Sequence, residues 1–225
     1  MIFRIEDDIA FPDPLLAEED GLLGVGGDLC IDRLLFAYQL GIFPWYAEDT
    51  PILWYAPLKR FVINPTDLKV SKSMRQVLRK GQFRFTINQA FEQVITNCAN
   101  IARPDQDGTW IVDDMRRAYI ELHNLGFAHS VEVWENEELV GGLYGVLVGK
   151  VFCGESMFSK VSNSSKAALI YLIQNFELEL VDCQIYSEHL ETLGAKLIDA
   201  KAFYSILEKQ NYVKHGLQTL FRYTS

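Results

Sequence analysis

Paired cysteines are missing from this sequence. Its four cysteines, Cys30, Cys98, Cys153 and Cys183, are scattered, with no CxxC pair and no Cys/His cluster at zinc-ligand spacing. That suggests neither a disulfide framework nor a structural metal site and makes a reducing, cytoplasmic setting the expectation. Long apolar runs are missing too. The longest, Leu139 to Gly149, is too short to span a bilayer, and the amino terminus lacks the basic start and apolar stretch of a signal peptide. No membrane partner is therefore expected. There is no repeat and no low-complexity linker. Ser156 has no GxSxG elbow around it, and His123, His129, His189 and His215 show neither ligand nor triad spacing, which argues against serine and metal hydrolases.

Positive charge is scarce overall and concentrated where it occurs. Twenty-one Lys and Arg stand against thirty Asp and Glu, a formal charge of −9, which disfavours indiscriminate binding to polyanions. At 225 residues, 49% hydrophobic and 23% charged, the chain is long enough for a substantial core and does not read as disordered. Yet no acidic residue lies between Asp67 and Glu92, while Lys69, Lys72, Arg75, Arg79, Lys80 and Arg84 do. On a helix Lys72, Arg75 and Arg79 share one face, with Met74, Val77 and Leu78 turned away. Such a stripe suits a localised phosphate-backbone site; a solvated helix face is the even alternative.

Residues 1 to about 60 are rich in Gly, Pro and aromatics and read as a small domain of short elements, with a helix over Asp32–Leu40 stopping at Gly41. Beyond Arg60 the texture is regular. Ser71 suits the cap of a helix running to Lys80, and Ala90–Cys98 and Asp114–Leu125 read as helices around a strand at Phe83–Ile87. Ser130–Trp134, Leu139–Val148 and Val151–Met157 read as an antiparallel meander. An amphipathic helix over Ser165–Phe176, a strand over Val181–Gln184 and helices near His189–Leu193 and Ala202–Gln210 complete an α+β pattern.

Three features could carry chemistry. Glu155 is placed at the end of an apolar strand beside Gly154, where a carboxylate is costly without a partner. An α-ammonium group, a ribose hydroxyl or a structural salt bridge would each satisfy it. A period of two places Asp182 and Gln184 on one face, so that both could hydrogen-bond one amine, the Gln orienting it and the Asp stabilising positive charge; an unremarkable strand end is the plain alternative. Trp45, Trp54 and Trp110 fall in loops or at element edges, with Tyr38 and Phe43 nearby, suited to lining an apolar pocket, stacking on a base or covering core.

Taken together the motifs resemble the leucyl/phenylalanyl-tRNA-protein transferase family from Phe11 to about Phe203. In order they are FPDP (11–14), GLLGVGGDL (21–29), AYQLGIFPW (37–45), LWY (53–55), TWI (109–111), AYIELHNLGFAHSVEVW (118–134), LVGGLYGV (139–146), FCGESMFS (152–159), SSKAAL (164–169), DCQ (182–184) and HLETLGA (189–195). The resemblance implies a small amino-terminal domain, residues 1–60, and an N-acetyltransferase-like (GNAT-like) catalytic domain, residues 61–225. It implies transfer of Leu or Phe, and less well Met, from aminoacyl-tRNA to the amino-terminal Lys or Arg of acceptor proteins, marking them for degradation. No cofactor or metal is implied, because the aminoacyl ester is already activated, and a monomer is expected. Carried over by motif, the aminoacyl pocket would comprise Tyr38, Trp45, Trp110, Phe152, Gly154, Glu155, Ser156, Met157, Phe176 and Val181. Asp182 and Gln184 would form the reaction centre, with Glu155 holding the substrate near the ester, and the basic stripe from Lys69 to Arg84 would face the tRNA acceptor stem.

Two stretches depart from the family pattern. Ala56-Pro57-Leu58-Lys59-Arg60 stands where Ser-Pro-Asp-Pro-Arg is usual, and Ile198-Asp199-Ala200-Lys201 where Ile-Pro-Arg is common. The first puts the local loop in question and the second removes an expected cation. An acyl-CoA-dependent N-acetyltransferase is the nearest competing reading, but residues 158–166 hold no glycine to cradle a pyrophosphate. A non-catalytic tRNA-binding module would leave Glu155, Asp182 and Gln184 without a task.

Overall fold

The computed structural model describes residues 2–100 and 111–210. The amino-terminal part holds strands β1 (Phe3–Ile5) and β2 (Leu22–Gly26), helix α1 (Ile31–Gln39), and strands β3 (Phe43–Pro44) and β4 (Leu53–Tyr55). These four strands form one sheet in the order β1-β2-β4-β3. Next come β5 (Lys59–Ile63), α2 (Lys72–Arg79), β6 (Arg84–Ile87), α3 (Phe91–Asn100) and α4 (Asp113–Asn124). The meander follows as β7 (Ala128–Glu135), β8 (Glu138–Val148) and β9 (Val151–Ser159), then α5 (Ser164–Asn175), β10 (Leu180–Asp182), α6 (Glu188–Glu191), β11 (Lys196–Asp199) and α7 (Ala200–Lys209). The second sheet has seven strands in the order β11-β5-β10-β9-β8-β7-β6.

The α+β expectation holds: an antiparallel meander passes through a helix into β10, which adds parallel to β9. Alternation along β8 sends Tyr144, Val146 and Val148 into one apolar cluster and Leu143 and Leu147 into another. The first is closed by α3, α4, α7 and the amino-terminal part, the second by α2 and α5. Because Leu23, Leu34 and Trp54 share a cluster with Phe91, Tyr119 and Phe203, the small sheet has no core of its own. No helix among the described residues is long and apolar enough to cross a membrane.

Several local expectations need correction. Helix α5 is not amphipathic: Ala167, Ala168, Leu169, Ile170, Leu172 and Ile173 are all buried, since the helix lies between the sheet and the segments packed over it. Trp54 is no edge residue; it is fully buried in β4, with Nε1 donating to the Gly26 carbonyl at 2.9 Å. Strands β5 and β11 carry no alternation strong enough to announce them and exist through pairing with each other and with β10. The basic helix is as read. Ser71 caps it by accepting from the Met74 N–H at 3.1 Å, Met74 is buried, and all six cations from Lys69 to Arg84 are exposed. Among the described residues only Arg84 has an acidic partner, Glu137 at 3.2 Å.

Candidate active site

Strands β9 and β10 pair in parallel up to Cys153 and Asp182, and two irregularities then part them. Along β9, Ser156 pairs with Tyr144 and Gly154 with Gly145, so Glu155 is the extra residue of a β-bulge rather than the end of a strand. A bulge re-aims its side chain out of the regular alternation. The glycine that makes room is Gly145, where a Cβ would lie 2.2 Å from the Cys153 carbonyl oxygen; at Gly154 the nearest atom would be a comfortable 3.5 Å away.

On the other side the ladder ends at Asp182. Gln184 takes a φ of 65°, and the Ile185 N–H donates to the Cys183 carbonyl at 2.8 Å, a γ-turn centred on the glutamine. A non-glycine residue there carries about 1–3 kcal/mol of strain, so the surroundings must hold it. Phe61 does so through its N–H to the Gln184 carbonyl at 3.2 Å and its carbonyl to the Cys183 N–H at 2.8 Å. Asp182 Oδ1 accepts from the Gln184 N–H at 2.9 Å.

The two side chains expected to share one amine therefore diverge, because the period of two stops at Asp182. The Asp182 carboxylate is wholly buried and grips Arg60, Oδ1 accepting from Nε at 2.8 Å and Oδ2 from Nη2 at 2.6 Å. Arg60 is itself sandwiched between the Phe43 and Phe203 rings, 4.9 and 4.6 Å from their centroids. The Gln184 side chain turns instead to Glu155, with Nε2 donating to Oε1 at 2.7 Å. Tyr119 donates to Glu155 Oε2 at 3.0 Å, and Tyr38 bonds Tyr119 in turn through their hydroxyls. Burial pushes the Glu155 carboxyl up to about 7 against the pull of these donors, with Asp182 adding to the rise. A carboxylate only accepts, so it fixes the Gln184 amide with its NH2 inward; Oε1 has no protein donor among the described residues. Nothing in the sequence pointed to Tyr119, which reaches this network from α4.

Between the parted strands opens a cleft of about 710 Å³. Phe152, Met157, Leu169 and Val181 give it an apolar end, Phe43, Pro44 and Trp45 one wall, and Ile185, Tyr186, His189 and Leu190 another. Gly154, Glu155, Ser156, Asp182 and Gln184 also line it. Tyr38 does not; it acts from behind, through its bond to Tyr119 and directly on Glu155, whose carboxyl it helps to pull down. Phe176 is not brought to the cleft either, but ends α5 against the His129 ring, and Trp110 lies outside the described residues. Cys153 and Cys183 flank the centre, and burial pushes both thiols up, which makes neither a nucleophile.

A sequence profile of the leucyl/phenylalanyl-tRNA protein transferase family matches residues 62–208, and the profile of that family's amino-terminal domain matches residues 27–58. The chain belongs to this family. A leucyl/phenylalanyl-tRNA–protein transferase of Syntrophus aciditrophicus is 54% identical over 89% of this chain and 85% of its own. Its counterparts in Syntrophobacter fumaroxidans and Flavobacterium johnsoniae are 50% and 52% identical, over 96% and 93% of this chain and 94% and 100% of theirs. Among solved structures, a GCN5-related N-acetyltransferase from Kribbella flavida overlaps loosely, with a TM-score of 0.37 at 8% identity over 73% of this chain and 62% of that one.

Lys59 and Asp199 stand opposite each other in the β5/β11 register and form an ion pair. The two stretches singled out in the sequence thus meet across one pair of strands.

Proposed function

We propose that the protein transfers a leucyl or phenylalanyl group, and methionyl less well, from aminoacyl-tRNA to the amino-terminal Arg or Lys of acceptor proteins. It does so as a cytoplasmic monomer that marks those proteins for degradation, with residues 1–60 as a small domain contributing the Trp45 wall and residues 61–225 as the catalytic domain. The observation that carries this reading is an apolar cleft with one fixed amide oxygen, that of Gln184, at its polar edge. The acceptor's α-amine nitrogen attacks the ester carbonyl carbon, the bond to the ribose oxygen breaks, and that oxygen leaves with a proton. Since the ester is already activated, holding the amine in line is most of the task. Gln184 Oε1 accepts a hydrogen bond from the attacking amine, and Glu155 and Tyr119 hold Gln184. Asp182, neutralised by Arg60, anchors the turn. An apolar pocket separates side chains differing by a methylene by only ~10–200-fold, which fits tolerance of Leu, Phe and Met.

The basic helix supports the tRNA half of the reading, as an exposed stripe on an otherwise acidic protein. Incubation with radiolabelled Leu-tRNA and an Arg-initiated peptide should label the peptide, whereas labelled acetyl-CoA should not. Arg75→Glu with Arg79→Glu should weaken Leu-tRNA binding and flatten its salt dependence by about two charges' worth. Peptide labelled from acetyl-CoA alone would sink the proposal.

The Glu155 network makes transfer pH-dependent. Its carboxyl titrates near 7 in the folded chain, above its ordinary range, so the proton is retained as pH rises until about that value. Ionisation strengthens the hydrogen bond that Glu155 accepts from Gln184, so kcat should rise through pH 7 in addition to the ionisation of the acceptor amine near 8. Stability moves the other way, falling between about 4.5 and 7 because the folded state binds the proton more tightly. Glu155→Gln should remove the lower step in a kcat–pH profile; an identical profile in that variant would contradict the assignment.

A further inference from the structure

Transfer to a basic amino terminus needs a place for the acceptor's cationic side chain, and the cleft's two inner carboxylates do not provide it. Asp182 is closed off by its bidentate pair with Arg60, and Glu155 is buried and already accepts from Gln184 and Tyr119. The apolar end formed by Phe152, Leu169 and Val181 suits the donor's side chain. What remains is the wall that runs on from Gln184. Two residues beyond it, Tyr186 lines the cleft with 55% of its surface exposed. Its ring rests on Phe61 at 5.2 Å between centroids, and its hydroxyl donates to Glu191 Oε2 at 2.9 Å. An exposed aromatic face is thereby fixed beside a solvent-accessible carboxylate, with Glu188 close enough to act on the same hydroxyl.

Lys166, which acts on His189, is a cation near this edge with no acidic partner among the described residues. Lys196 is held by Asp67 at 2.7 Å and Lys59 by Asp199. Partial burial and Lys166 keep the His189 imidazole below its ordinary range and so uncharged.

We infer that Tyr186 and Glu191 form the subsite for the acceptor's first side chain, the ring taking the flat face of a guanidinium or the ammonium of a lysine and the carboxylate taking its charge. Gln184 and Tyr186 line the same cleft, so an acceptor whose α-amine is hydrogen-bonded to Gln184 Oε1 would direct a long cationic side chain along this wall toward α6. Being exposed, the pair selects among acceptors rather than accelerating the chemical step.

This rests on the function proposed above, and the test separates the two. Phe transfer from Phe-tRNA is measured to matched peptides beginning with Arg, Lys, citrulline or norleucine, in the wild type, Glu191→Gln and Tyr186→Leu. The wild type should favour Arg over citrulline. Each variant should raise KM for the Arg peptide by roughly threefold to fivefold, in line with an exposed charge or cation–π contact. In both, kcat, Phe-tRNA affinity and the melting temperature should stay as they are, and the Arg-to-citrulline preference should narrow. A wild type that prefers Arg while both variants keep its full preference overturns the subsite and leaves the transferase standing. Equal use of Arg and citrulline by the wild type overturns the basic-acceptor reading, and no transfer to any peptide overturns both.

Discussion

Asp182→Ala should lower the melting temperature by about 10 °C and abolish transfer. The carboxylate is wholly buried and makes two short hydrogen bonds to Arg60. Removing one partner of a buried pair leaves the other charge uncompensated, which costs about 3–5 kcal/mol, and for a chain of this size each kcal/mol is worth roughly 2–4 °C. Arg60 cannot turn to water, being enclosed by Phe43 and Phe203 and already carrying an Nη1 without a hydrogen-bond partner among the described residues. The Gln184 N–H loses its acceptor at the same time, so the strained turn relaxes. Combining Asp182→Ala with Arg60→Met should restore much of the stability without restoring transfer, because an apolar replacement of both partners is tolerated while the turn stays unanchored. A single variant melting within 1 °C of the wild type would show that the pair contributes nothing.

Gln184→Ala should show the inverse balance, a smaller fall in melting, because Glu155 Oε1 loses its donor, and a fall in kcat of about 10²-fold, the scale of losing one preorganised hydrogen bond at a reacting centre. Its side chain is buried but lines the cleft, so truncation enlarges an existing opening rather than hollowing the core, and φ is equally unfavourable for alanine. Gln184→Gly should be as inactive and more stable, since glycine adopts this φ without strain. Phe-tRNA affinity should remain within about twofold in both. If kcat stayed within threefold of the wild type, the ribose 2′-hydroxyl of the tRNA would become the better candidate for managing the amine. The two substitutions together separate an anchor from a reacting group, a distinction that two neighbouring polar residues in a DCQ motif do not reveal.

The parts of the fold legible in the sequence are those where local signals agree. Ser71 before a basic amphipathic stretch and Gly81 after it delimit α2, and the turns around Asn136 and Gly149 delimit the meander to within a few residues. Strands β5 and β11 were not legible, because four- and five-residue segments acquire strand character from their partners. In the site, Glu155 stood out as a carboxylate in an apolar strand, but its partners did not: Tyr119 precedes it by 36 residues and Gln184 follows it by 29. The bulge was equally hidden, since it depends on which β8 residue faces Gly154.

The sequence by itself determined the class of fold, the family, the stretch from Lys69 to Arg84 that holds cations and no acid, and the candidacy of Glu155, Asp182 and Gln184, because composition, periodicity and motif order are properties of the chain alone. Only the tertiary structure decided what those polar groups do. It gave the charge of Asp182 to Arg60, 122 residues earlier, turned Gln184 to Glu155, sent Phe176 away from the cleft and left Tyr186 and Glu191 open at its edge. Hydrogen bonds and ion pairs of this kind follow strand register and burial, which long-range pairing sets.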